Sequence, residues 1–118
     1  MNVKLVVNTD FMKPKIVKYL IALLHDAKAI RALAVKNNSS IVLSVIREAI
    51  TFLKRAIHDY RLSFIDPKHK DFMKLNDAYN ETYLGLGKVN QASFLSWENG
   101  LLEKPLDWPG FAPANEEW

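Results

Sequence analysis

Apolar residues recur at three- and four-residue steps along most of this chain. Over residues 14–36, Ile16, Leu20, Leu23, Leu24, Ala27, Ile30 and Leu33 share one face, while Lys15, Lys18, His25, Lys28 and Arg31 fall elsewhere. That period predicts an amphipathic helix of about six turns. Pro14 suits its first position, where a missing N–H costs nothing, and Asn37-Asn38 closes it. A second helix follows from Ser39 or Ser40, either of which can cap it, to about Ile65. Its apolar face comprises Val42, Val45, Ile46, Ala49, Leu53, Ala56, Ile57 and Tyr60. So short a connection between two long helices predicts an antiparallel hairpin.

Asp66-Pro67 reads as a stop and a restart, a cap followed by a first-turn proline. Phe72, Leu75, Tyr79, Tyr83 and Leu86 form the stripe of a third helix, which Gly85 and Gly87 are expected to end. A short fourth helix is expected from Asn90, with Val89 and Phe94 placed as a hydrophobic staple and Gly100 as its C-terminal glycine. Tyr79, Tyr83, Phe94 and Trp97 could form a stacking platform or a ligand pocket, but their helical spacing favours core. Val3-Lys4-Leu5-Val6-Val7 is short and β-branched, and reads as a short N-terminal strand or as an arm or helical extension.

After Glu103 the pattern changes. Pro105, Pro109 and Pro113 exclude a regular helix, and Trp108, Phe111 and Trp118 stand among Asp107, Glu116 and Glu117. The expected fold is therefore all-α: a helical hairpin, a third and a short fourth helix within residues 1–103, and an extended Pro/Trp-rich arm over 104–118. The arm either packs across its own helices or docks on a partner through Trp108, Phe111 and Trp118. Large aromatic anchors carry much of the energy at protein interfaces.

Composition narrows the chemistry. The 118 residues include no cysteine, which removes disulfides, thiolate nucleophiles and Cys-based zinc sites. The longest apolar run of the first helix, Tyr19–Leu24, is far short of the ~20 residues a membrane span needs. With no secretory leader legible at Met1–Val7, a cytoplasmic protein is expected. The net charge of +3 is unevenly distributed. Residues 1–70 hold 13 Lys/Arg against 5 Asp/Glu, and residues 71–118 hold 3 against 8.

Two doublets, His25-Asp26 and His58-Asp59, are the nearest approach to acid–base or metal chemistry. Adjacent helical residues point about 100° apart, whereas helical metal ligands come three or four residues apart. In a hairpin turning near residue 38, His25 should lie level with residue 51 and not with His58. An enzyme built on His25 and His58 is thus the weakest reading, and no metal or cofactor is expected. His69, within Lys68-His69-Lys70, opposes the dipole of the third helix and reads as a solvated corner or an anion contact.

Arg47, Lys54, His58 and Arg61 form a row on one face of the second helix, with Thr51 in the gap, Arg55 alongside and Glu48 and Asp59 at its border. Asp59 can pair with Arg55 one turn away. Such a row can follow an acidic protein surface or the phosphates of a nucleic acid. The leading expectation is a non-enzymatic interaction or assembly protein, binding a protein partner or itself. Phages and mobile elements carry many compact accessory proteins of this kind. A nucleic-acid-binding accessory protein is the alternative.

Overall fold

A computed structural model describes the backbone of residues 3–65, 72–106 and 108, and the side chains of residues 15–62, 76–106 and 108. The described residues form three helices and no strand: α1 (Val3–Lys36), α2 (Ser40–Ile65) and α3 (Phe72–Glu98). The expected stop and restart at Asp66-Pro67 and the basic corner Lys68-His69-Lys70 lie outside the described residues, as do Phe111 and Trp118.

Two expectations are corrected. α1 begins at Val3, well before Pro14, so Val3–Val7 is helical and the strand reading falls. A lone strand would leave its backbone N–H and C=O groups without partners, whereas a helix satisfies them internally. The expected third and fourth helices are a single helix, continuous through Gly85, Gly87 and Asn90. Two interior glycines cost about 1 kcal/mol each relative to alanine. At Gly85 packing offsets that cost: a Cβ there would lie 2.7 Å from Leu53 Cδ2, so only glycine admits this approach of α3 to α2. Val89, expected outside a helix as half of a staple, is fully buried within α3.

The connections explain the hairpin. α1 closes on Asn38, whose φ of 54° is left-handed. The Ser39 amide donates to the Ala34 carbonyl (2.9 Å) and the Asn38 amide to Val35 (3.2 Å), the paired bonds of a Schellman turn. The Asn37 side chain adds a bond to the Leu33 carbonyl (2.9 Å). α2 then starts at Ser40, with the Ser39 carbonyl accepting from Leu43. α3 ends the same way. Gly100 (φ 78°) takes the left-handed position, Leu101 donates to Ser96 (2.7 Å), and Asn99 binds the Leu95 carbonyl through its side chain (2.7 Å).

α2 is the central helix. Ile21 and Leu24 of α1 lie beside Ile57 and His58, and Val35 lies beside Ser39 and Leu43, so α1 and α2 run antiparallel. Leu53 meets Gly85, Glu48 meets Lys88 (3.0 Å) and Tyr60 meets Tyr79 (ring centroids 6.0 Å apart), so α3 runs antiparallel to α2 on its other flank. The core is Ile16, Val17, Leu20, Leu23, Ala27, Ile30 and Ala34 from α1, with Val42, Ile46, Ala49, Ile50, Leu53, Ala56, Ile57 and Tyr60 from α2. All of the α2 face expected from the pattern is there except Val45, which is half-buried.

α3 buries a different set: Ala78, Thr82, Gly85, Leu86, Val89, Ala92, Ser93 and Ser96. Its hydroxyls are satisfied locally, Thr82 donating to the Ala78 carbonyl (2.8 Å) and Ser96 to Ala92 (2.7 Å). Tyr83, Phe94 and Trp97 are each more than 40% exposed, so the core reading holds only for Tyr79, which packs against the core.

Candidate functional site

Beyond Gly100 the chain turns back along α3. The Leu106 amide donates to Ser93 Oγ, and Ser93 Oγ in turn donates to the Leu106 carbonyl (3.0 Å). Two residues on, Trp108 exchanges a similar pair with the Asn90 side chain, its amide donating to Oδ1 (3.2 Å) and its carbonyl accepting from Nδ2 (3.3 Å). Because α3 is already saturated with its own hydrogen bonds, side chains must supply the ladder that holds this extended strap. The Trp108 indole N–H donates to Asp26 Oδ2 (2.7 Å), and its ring meets Tyr19 edge-on with centroids 5.6 Å apart. Trp108, expected either to close its own molecule or to dock on another, therefore bridges α3 to α1 within the chain. Asp26, half of a suspected acid–base doublet, is the acceptor that fixes it. Burial and the neighbouring Tyr83 raise the pKa of Tyr19.

On the opposite side of the buried stripe of α1 the surface is open. At 100° per residue, Ile21 and Leu24 lie across that stripe from Tyr19 and Asp26. They line a groove of about 350 Å³ with Lys54, Ile57, His58 and Arg61 of α2. Leu24 and Ile57 form its floor, Ile21 is 43% exposed at its edge, and all three basic side chains are exposed. A second hollow of about 350 Å³ on the same pair of helices, near the hairpin turn, is lined by Val35, Leu43 and Arg47 with Asn38, Ser39 and Ser40. Four members of the basic row thus occupy two hollows along one helix pair. Thr51, between them, is exposed and returns its hydroxyl to the Arg47 carbonyl (3.1 Å).

Arg55 has a different neighbourhood. It acts on Glu81 of α3, as do Asp59 and Asp77. The Glu81 carboxyl is pushed up to about 7, first by burial, then by its hydrogen bond to Asp59 and by the charges of Asp59 and Asp77, with Arg55 opposing. Its Oε1 is shielded from solvent and has no hydrogen-bond partner among the described residues. Asp59, expected to pair with Arg55, is hydrogen-bonded to Glu81 across the α2–α3 seam. Glu48, at the border of the row, is drawn to Lys88.

His25 and His58 are exposed, and His58 lies in the groove with Ile21 and Leu24. Among the described residues no group of three or more His, Cys, Asp or Glu side chains is arranged to hold a metal ion. No described helix is long and apolar enough to cross a membrane. The pattern placed Leu24 and Ile57 on apolar faces but left out Ile21, which lies beyond the stripe, and periodicity alone does not tell core from groove. No family model, no curated protein and no solved structure matches this chain.

Proposed function

We propose that the protein is a non-enzymatic interaction module whose α1–α2 groove receives an acidic, apolar-anchored segment of a protein partner. The observation that carries this reading is the composition of one groove: Ile21, Leu24 and Ile57 beneath Lys54, His58 and Arg61. Apolar anchors gain from burial on such a floor, and cations at the rim steer acidic groups and fix their register. An apolar floor favours a peptide over a phosphodiester backbone, which needs cations but no such surface. Arg47 extends the same face toward the hairpin turn, while Arg55, whose charge acts on Glu81 and which lines neither hollow, contributes less to it.

The chain itself contains a segment of the required chemistry. Phe111, Glu116, Glu117 and Trp118 lie within residues 109–118, downstream of the point where Trp108 is fixed. A fluorescently labelled peptide of residues 109–118 is therefore the first probe, read by anisotropy. The expected result is saturable binding that weakens at least tenfold in Lys54→Glu/Arg61→Glu and falls with added salt. Absence of binding, or tighter and equally salt-sensitive binding of a single-stranded oligonucleotide, overturns the proposal, the second outcome in favour of a nucleic-acid partner.

A further inference from the structure

The two hollows of the α1–α2 pair open on one continuous side of it. On α1, Ile21, Leu24, Lys28 and Val35 fall within about 60° of one another, and on α2 so do Leu43, Arg47, Lys54 and Arg61. At about 1.5 Å per residue, Ala34 and Val35 lie about 18 Å along α1 from Ile21 and Leu24, and Leu43 lies about 22 Å along α2 from Ile57 and His58. One segment lying in the seam therefore meets both hollows if its apolar anchors stand about 20 Å apart.

The charge along that seam has one sign. Residues 15–62 hold nine Lys/Arg and three acids, Asp26, Glu48 and Asp59. Each acid is drawn away from the seam, Asp26 by the Trp108 indole, Glu48 by Lys88 and Asp59 by Glu81, so all three serve the strap or α3. Lys28, Arg47, Lys54 and Arg61 are exposed.

Residues 109–118 have the matching pattern. They carry Glu116 and Glu117 and no Lys or Arg. Phe111 and Trp118 are seven residues apart, about 22 Å in extended chain, and Pro113 between them disfavours a helix. This arm does not span the two hollows of its own molecule. Trp108 is fixed beside Tyr19 and Asp26, across the buried stripe of α1 from the groove. Phe111 is three residues further on, so the two backbones are at most about 11 Å apart. The near hollow lies beyond the full width of α1, and the far one a further 18 Å or so along it.

We infer that the seam receives residues 109–118 of a second copy of this chain, with Trp118 in the hollow at Ile21 and Leu24 and Phe111 in the hollow at Val35 and Leu43. The inference rests on the function proposed for the groove and names its partner. Charge sets the direction. Glu116 and Glu117 adjoin Trp118, and the first hollow has Lys54, His58 and Arg61 at its rim where the second has Arg47. The arm and the seam are different surfaces on opposite sides of α1, so the contact is heterologous. Each copy gives an arm to one neighbour and receives one from another, closing a ring or extending a chain.

Sedimentation velocity of the full chain tests this contact. The wild type is expected to form species larger than a monomer whose share grows with concentration over tens of micromolar. Glu116→Lys/Glu117→Lys in the arm and Lys54→Glu/Arg61→Glu in the seam should each weaken self-association at least tenfold, with an unchanged helical circular-dichroism signal. An equimolar mixture of the two variants should reassemble, because each then offers the other an arm of opposite charge. Phe111→Ala should weaken association at least fivefold, since one anchor of two is lost. A wild type that is monomeric throughout, as it would be if the arm stayed on its own molecule, overturns the inference, and so does a mixture that stays monomeric. The labelled peptide of residues 109–118 tells the two failures apart. If it binds while the full chain stays monomeric, the second copy is wrong and the groove stands; if it does not bind, both fall.

Discussion

α2 is flanked by two helices that bring opposite kinds of surface to it. α1 contributes Leu20, Leu23 and Ile30, large aliphatic side chains that are fully buried or nearly so. α3 buries Leu86 and Val89 but otherwise Ala78, Thr82, Gly85, Ala92 and Ser96, residues too small to fill much space on their own. One seam is held by volume and the other by proximity. The first should tolerate reshaping and suffer from loss of atoms; the second should tolerate loss of atoms and suffer from gain. Interiors packed to crystal-like density make both failures costly.

Leu23→Ala should give the largest effect, because it opens a cavity in the seam that depends on volume. Thermal or denaturant unfolding is expected to show a loss of about 3 kcal/mol. Gly85→Val tests the other seam, since its Cβ alone collides with Leu53 Cδ2 at 2.7 Å. A loss of about 2 kcal/mol is expected, and Leu53→Ala in the same chain should recover part of it relative to the sum of the single changes. If the two losses simply add, α3 is not held against α2 by that contact.

The polar part of the narrow seam gives a smaller, pH-dependent effect. Burial and the neighbouring Asp59 hold the Glu81 carboxyl up at about 7 in the folded chain, above its ordinary value of about 4.5. The folded state therefore binds this proton more tightly than the unfolded state. Its contribution to stability is complete below about 4.5 and is lost as pH rises through 7. Melting curves of the wild type should fall relative to Glu81→Gln between pH 5 and 8. The variant should be the more stable at pH 8 by about 1 kcal/mol, a value kept small by solvent screening of this partly exposed group. Smallest is Asn38→Gly, at a φ of 54° that glycine adopts without strain. A change within ~0.5 kcal/mol is expected there, because relief of strain is set against the greater freedom of the unfolded chain.

The same contrast governs how much of the molecule could be read from its residues. α1 and α2 were legible because their buried positions are large and apolar, and helical periodicity registers such residues. The buried stripe of α3 was not, because Thr82, Gly85, Ser93 and Ser96 read as polar or as breaks while Phe94 and Trp97 read as core. Inside a close helix pair small residues are the ones buried, and the aromatics are left on the outer face. Gly85 and Gly87 therefore suggested an end to a helix that runs on to Glu98. Of the basic row, periodicity placed Arg47, Lys54, His58 and Arg61 on one face; the last three line one groove and Arg47 lines a second hollow. Periodicity could not show that the charge of Arg55 acts on Glu81, nor that Ile21 and Leu24 line a groove with Ile57, since both depend on which neighbour lies across each seam. The pairing of Trp108 with Asp26 was equally out of reach, because no local pattern links residues 82 apart.

That last contact bears on the order of events in folding. The helices and their hairpin connections form from contacts close in sequence, which favours rapid folding. The strap can seat only after α1 and α3 lie side by side, since Trp108 needs Asp26 and Tyr19 from one and Asn90 from the other. Interactions made after the transition state act on the unfolding rate and leave the folding rate almost untouched. Trp108→Phe keeps a ring against Tyr19 but removes the indole donor. It should leave the folding limb of a chevron where it is and raise the unfolding limb several-fold. In kinetic terms the strap is a latch on an assembled bundle, setting how long the native state lasts and not how soon it forms.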